Sequence, residues 1–288
     1  MKRDLKITSV IVLVLIFLVN TSIAYSQSSI VSGMSESPCP EQTSSGAPPE
    51  YLKAMMEPGA KMPPMPKPGD PQFVAMMQSR EESRNRDFPD LCRFKEENNR
   101  IANQPVKVVF IGDSITAGWE IGDASLFSDG NVNRGIGGQT SPQMLLRFYQ
   151  DVVALHPRAV HIMAGTNDLA GNTGPNSPED FKNNIRAMVD LASANNIKVV
   201  LASILPVTSF PWQPESKPEQ LILSLNAWLK QFAADRGLVY ADYYAVTVSA
   251  NGVLNAALSN DGVHPHREGY AAMRAIALSS INEVLSLK

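Results

Sequence analysis

From Val106 onward the chain alternates between short apolar runs and longer stretches in which apolar residues recur every three or four positions. The runs at 107–111, 159–163, 198–202 and 238–241 are nearly continuous in aliphatic and aromatic residues. That is the pattern of strands buried on both faces. A shorter, more polar segment at 131–136 is a fifth predicted strand. Helices are predicted between the strands, at 142–153, from about Pro178, at 218–236 and at 267–287. Ser177 followed by Pro178 reads as a helix start: the serine oxygen can accept from a free first-turn N–H, and the proline lacks an N–H that would go unsatisfied. Gly237 reads as a helix stop. Strands alternating with helices predict an α/β domain built on a parallel sheet covered on both faces. In such open sheets ligands sit outside the carboxyl ends of the strands, so chemistry is sought there.

The chain upstream of this domain has a different texture. Residues 27–71 are rich in Ser, Pro, Gly and Met, and Pro48-Pro49 and Pro63-Pro64-Met65-Pro66 exclude helix interiors and central strands. This segment is read as a linker without chemistry. Residues 72–104 carry Phe73, Met76, Met77, Leu91, Phe94 and Ile101 among many charges, and are read as a short helical extension packed on the α/β domain, 105–288.

Residues 1–26 begin with Lys2, Arg3 and Lys6, continue with an apolar run over 7–19, and end in small residues. That order is a secretory signal peptide, with cleavage after Ala24 or Ser26, and it predicts a secreted or periplasmic protein. The run is short for the ~20 residues of a membrane span, so no stable span is expected after cleavage. No Cys follows the run, so a lipid anchor is not expected. A net charge of −3 gives no basic field to draw nucleic acid. An oxidising compartment permits a bridge between Cys39 and Cys92, but the sequence leaves their pairing open. No Cys, His or acidic cluster has metal-ligand spacing, so neither metal nor cofactor is expected. The oligomeric state is not legible.

Four segments at predicted strand ends carry the chemistry. Gly112-Asp113-Ser114 ends the first strand, Arg134-Gly135-Ile136-Gly137-Gly138-Gln139 follows the second, Gly165-Thr166-Asn167-Asp168 follows the third, and Asp261-Gly262-Val263-His264 precedes the last helix. Acyl transfer by a serine needs a base to take its proton, an acid to orient that base, and donors for the oxyanion. Ser114 sits where a strand meets a turn, with its backbone N–H near a helix start. Asp261 and His264 are three residues apart, so one turn can hold the carboxylate beside the ring. His266 is the competing base; it is read as a surface residue. Asn167 offers a side-chain amide. Either Gly137 or Gly138 offers a backbone N–H; Gly138 is favoured because it directly precedes Gln139 and the following helix. Asp113 reads as a structural hydrogen-bonder, and Asn167 and Asp168 have the alternative reading of turn caps. The aromatic and proline-rich loop at Phe210, Pro211, Trp212 and Pro214 is either a pocket rim or plain surface.

Gly112-Asp113-Ser114-Ile115 resembles the GDS(L) block of the GDSL/SGNH hydrolases, with Ile115 in place of the usual Leu. The segments 133–138, 165–168 and 261–264 resemble the family's glycine, GxND and DxxH blocks, in the family's chain order. The general layout looks most like the platelet-activating-factor acetylhydrolase-like and carbohydrate acetylesterase-like branch. The resemblance implies a three-layer α/β/α sandwich of flavodoxin-like type with strand order 2-1-3-4-5. It implies Ser114 as nucleophile, His264 as base and Asp261 as orienting acid, with Ser114, Gly138 and Asn167 forming the oxyanion hole. The expected activity is hydrolysis of small acyl esters, acetyl groups on carbohydrates among them, through an acyl-Ser114 intermediate. The alternatives are a lysophospholipase or thioesterase of the same fold, and a non-catalytic carbohydrate-binding protein.

Overall fold

The structure, a computed structural model, describes residues 38–39, 49–64, 66–67 and 69–287. The signal peptide and most of the segment expected as a linker lie outside the described residues.

Five parallel strands form one sheet: β1 (Val108–Gly112), β2 (Asn131–Gly135), β3 (Ala159–Met163), β4 (Lys198–Ala202) and β5 (Val239–Ala241), in the order β2-β1-β3-β4-β5. Register runs Val108 to Asn131 on one side of β1 and Val108 to Ala159 on the other. This is the α/β topology expected.

Alternate residues of each strand face opposite layers, as a pleated strand requires. Val109, Ile111, Val160, Ile162, Val199 and Leu201 pack under helices α5 (Ser141–Asp151), α7 (Pro178–Ala194) and α8 (Glu219–Arg236). Val108, Phe110, Val200, Ala202, Val239 and Ala241 pack under α4 (Ser114–Gly122) and α10 (Arg267–Ser286). On this second face Trp119 is wholly buried, stacked on Tyr270 and edge-on to Phe110 and Tyr243. His161 lies in the same aromatic group, with Nε2 2.8 Å from the Tyr243 hydroxyl, and burial drives its pKa down to about 3. A neutral imidazole is what such a dry site tolerates.

Helix boundaries follow local chemistry. Ser177 caps α7 in a reciprocal box with Asp180, and Gly237 ends α8 in the left-handed conformation at φ +64°.

Within the stretch read as a linker, α1 (Pro49–Met56) forms a helix and buries Met55 and Met56. Eight residues are too few for a helix to persist alone in water, so α1 owes its existence to this docking. Two further helices, α2 (Pro71–Arg86) and α3 (Lys95–Ile101), follow. The segment between them is stitched down by three side chains: Gln143, Gln139 and Gln150 donate to the carbonyls of Phe88, Pro89 and Leu91. Cys92 in this segment is bonded to Cys39. Among the described residues no helix is long and apolar enough to cross a membrane.

Candidate active site

Ser114 is the first residue of α4, reached directly from the carboxyl end of β1 through Asp113 and half-open to solvent. Asp113 caps that helix, its carboxylate accepting from the Ile115 N–H at 2.9 Å. Its burial raises its pKa to about 6. The Ser114 hydroxyl lies 2.9 Å from Nε2 of His264, and Nδ1 of His264 lies 2.7 Å from Oδ2 of Asp261. Two segments 150 residues apart in the chain are thus joined in one hydrogen-bonded row.

The other carboxylate oxygen of Asp261 accepts from the N–H groups of Val263 and His264 at 2.9 and 2.8 Å, and from Ser259 Oγ at 3.2 Å. Burial alone would raise this carboxyl, but the bonds from His264 and the neighbouring N–H groups hold it down to about 2. Burial likewise opposes the imidazolium of His264, yet the Asp261 carboxylate outweighs it and raises the histidine pKa; Asp113 adds to the rise. An ionised carboxylate can only accept, so Nδ1 carries the ring hydrogen and Nε2 is left to accept from the Ser114 hydroxyl.

His266, the competing base, is buried at 1% exposure rather than on the surface as the sequence reading had it. It stands just ahead of α10, with Nδ1 3.1 Å from the Glu268 carboxylate and its backbone N–H bonded to Leu258. Packing of the turn between Leu258 and α10 takes it inward.

The glycine loop passes alongside Ser114. A Cβ built on Gly137 would stand 3.8 Å from that of Ser114, and Gly138, at φ +79°, adopts a conformation that side chains resist. Asn167, the second residue of α6 (Thr166–Leu169), is buried and donates to the Gln139 carbonyl at 3.0 Å. The Asp168 carboxylate is engaged at the start of α5. It accepts from the Ser141 N–H and hydroxyl and from Asn176, fixing the start of α5.

Several supporting residues were not singled out from the sequence. Arg147 is wholly buried; it donates to Gln139 Oε1 at 2.6 Å, to the Gly112 carbonyl at 3.1 Å and to Asp151 at 3.0 Å. One guanidinium therefore ties the end of β1, just before Ser114, to the loop after Gly138. Asn98 continues the network, donating to Asp151 and accepting from Arg134, which pairs with Glu97. Trp212, from the loop left open as rim or surface, donates to Oδ1 of Asn172 at 3.0 Å, whereas Phe210 is wholly buried in the core. A polar residue inside an amphipathic helix, as Arg147 is, carries no sequence sign that it points inward.

The model of the GDSL-like lipase/acylhydrolase family matches residues 110–272. A solved chain from Bacteroides fragilis NCTC 9343, a candidate acylhydrolase, is 44% identical with a TM-score of 0.67, covering 69% of this chain and 99% of its own. A GDSL-like lipase from Bacteroides thetaiotaomicron VPI-5482 is 43% identical with a TM-score of 0.66, covering 68% and 99%. An uncharacterized lipoprotein of Bacillus subtilis, YqeF, is 33% identical over 118 residues, 35% of this chain and 49% of that one. The chain thus spans about half the length of that curated relative. With the family's model matched from β1 into α10, this chain belongs to the GDSL-like lipase/acylhydrolase family.

Proposed function

We propose that this acylhydrolase is an exported serine esterase that cleaves small acyl esters, acetyl groups on carbohydrates foremost. The single observation that carries the reading is the row Ser114–His264–Asp261, with contacts of 2.9 and 2.7 Å. In the first half-reaction the Ser114 oxygen bonds to the ester carbonyl carbon while its proton passes to His264 Nε2. Asp261 stabilises the imidazolium. The carbonyl oxygen, now negative, is met by the N–H groups of Ser114 and Gly138 and the amide of Asn167, donors worth about 10²–10³ in rate each. The tetrahedral species collapses, the alcohol leaves with the proton from His264, and Ser114 holds the acyl group. Water, deprotonated by His264, then frees the acid and restores the serine.

The preference for a polar alcohol rests on the surroundings. A shallow cleft on the segment that follows Asn167 is lined by Asp168, Asn176 and Gln213 and the backbone of Gly171 and Gly174, together with Leu169, Ala170 and Pro175, a mixed wall in which amides and a carboxylate are within reach of a polar alcohol. Export is supported by the leader-like start of the sequence, by the Cys39–Cys92 bridge, and by the likeness to a protein called a lipoprotein.

The test is turnover of p-nitrophenyl acetate, acetylated sugars, phospholipids and thioesters by the wild type and by Ser114→Ala. The expected result is rapid acetyl release by the wild type only. Equal rates from both proteins would favour the binding reading, and a preference for long acyl chains would end the acetyl assignment.

A further inference from the structure

The row described above joins two separate parts of the fold: α4, which carries Ser114, and the loop at 259–265, which carries Asp261 and His264. Something must hold these parts in register, and the N-terminal arm touches both.

On the loop side the contact runs through Asn260, the residue next to Asp261. Its Nδ2 donates to the carbonyls of Ala54 and Glu57, each at 2.8 Å, and its Oδ1 accepts from the Gly59 N–H at 3.1 Å. Both side-chain hydrogens and the oxygen are thus spent on arm backbone more than 200 residues away in sequence. The Ala54 carbonyl lies in the last turn of α1, where the helix supplies no partner. Asn260 therefore caps α1 while α1 fixes Asn260.

On the other side Met55 and Met56 are 5% and 2% exposed and pack in the core with Ile115, Trp119 and Tyr270. Their seat is Gly118, one turn beyond Ser114. A Cβ there would lie 2.9 Å from the Met56 methyl and 2.7 Å from the Tyr270 hydroxyl, so any side chain at 118 would have to displace them. Tyr270 in turn donates to the Ile115 carbonyl at 2.8 Å. Tyr51 lies close enough for the Asp261 charge, after burial, to help raise its phenol pKa, with Arg80 opposing. The bond from Cys39 to Cys92 anchors the chain just upstream of α1 to the segment stitched onto α5.

We propose that residues 49–62 clamp the active site, and that Asn260 is a positioning residue that transmits this hold to Asp261. The assignment rests on the esterase reading for its catalytic consequence only; the geometry it claims is that of the Asp261–His264 pair, whatever the reaction. The groups that act on His264 are Asp261, Asp113 and Ser114, and the phenols of Tyr51 and Tyr270 both lie within reach of the Asp261 charge.

The test uses the full chain with Asn260→Ala and, separately, Met56→Ala. Two quantities are read: the titration of His264 by NMR, and kcat and KM with p-nitrophenyl acetate. A loosened Asp261 gives up part of its hold on the imidazolium, so the His264 pKa should fall in both variants. Displacement of the reacting groups should lower kcat by about 10- to 100-fold in Asn260→Ala, with KM little changed. If both variants fold and keep the wild-type His264 titration, the clamp is overturned, even if their Tm is lower, because the arm would then serve stability alone. If Asn260→Ala does not fold, Met56→Ala decides by the same readout. Should the wild type fail to hydrolyse any ester, the esterase reading falls, while the His264 titration still judges the clamp.

Discussion

The side-chain amide of Asn172 donates to Oδ1 of Asn167 across 2.6 Å, and this contact decides which way Asn167 faces. An amide can turn over and exchange its donor and acceptor ends. With Oδ1 engaged by Asn172, the Nδ2 group must point the other way, where one N–H meets the Gln139 carbonyl and the second is the donor assigned to the oxyanion. Asn172 is itself held by Trp212 at its oxygen and by Arg84 at its backbone carbonyl. Asn167→Ala should therefore lower kcat by about 10²–10³. Asn172→Asp should fall between that variant and the wild type, because a carboxylate repels the Asn167 oxygen and invites the flip. Steady-state kinetics with p-nitrophenyl acetate measure both. A wild-type kcat in Asn172→Asp would show that Asn167 needs no such orientation.

The acid limb of the pH profile follows from the two shifted groups. His264 must be neutral to accept the serine proton, and its pKa is raised above the ordinary 6.5. So kcat/KM should fall with decreasing pH through a midpoint above that value. Asp261, held down to about 2, stays ionised across this range. Asp261→Asn removes the charge that raises His264, so the midpoint should move to lower pH while kcat drops by about three to four orders of magnitude. Stability obeys the same shifts. The raised histidine contributes stability that is present below its unfolded pKa and lost as pH rises through the folded one. The depressed carboxylate contributes stability that is present above its unfolded pKa and lost as pH falls toward about 2. The Tm loss in Asp261→Asn should thus be greatest between the ordinary carboxylate and histidine values. A limb that does not move in the variant would contradict the pairing.

What was legible in the sequence was whatever local pattern determines. Strands such as 159–163 and 198–202 announce themselves because a strand buried on both faces can use little besides apolar residues. Ser114, Asn167, Asp261 and His264 stood out because few residue types can do the chemistry proposed for them, and each sits just past a strand or ahead of a helix. The docking of the arm was illegible for the opposite reason. Asn260 grips backbone carbonyls, and a carbonyl carries no side-chain signature in either partner. The surface reading of His266 failed because a histidine near Arg267 and Glu268 looks solvated, while its burial is set by the turn between Leu258 and α10. Prolines at 48–49 and 63–66 suggested a chain without helix, yet Pro49 is the first residue of α1, where its missing N–H costs nothing.

Arg147 joins the end of β1 to the loop after Gly138, one on either side of Ser114, so its loss should be felt first in stability. Its side chain and that of Asp151 are both wholly buried. Burial penalises the guanidinium, and the Asp151 charge and hydrogen bond offset that penalty. Such a pair gains little over apolar residues as a whole, but removing one member strands the other in a dry interior, at a cost of about 3–5 kcal/mol. Arg147→Met should therefore destabilise the protein by about that amount, read as a fall in Tm or in the denaturant midpoint. Arg147→Met combined with Asp151→Asn should recover part of the loss, because an amide can stay neutral and still accept from Asn98. The two segments also lose their shared donor in the single variant: the Gly112 carbonyl and the Gln139 side chain are both left without the guanidinium. Residual activity below the new Tm should then drop more in Arg147→Met than a matched core truncation such as Phe148→Ala would cause, since Phe148 lies on the same helix and is a member of the hydrophobic core with no polar group to offer. Equal activity in two variants of equal Tm would reduce Arg147 to a stability residue alone.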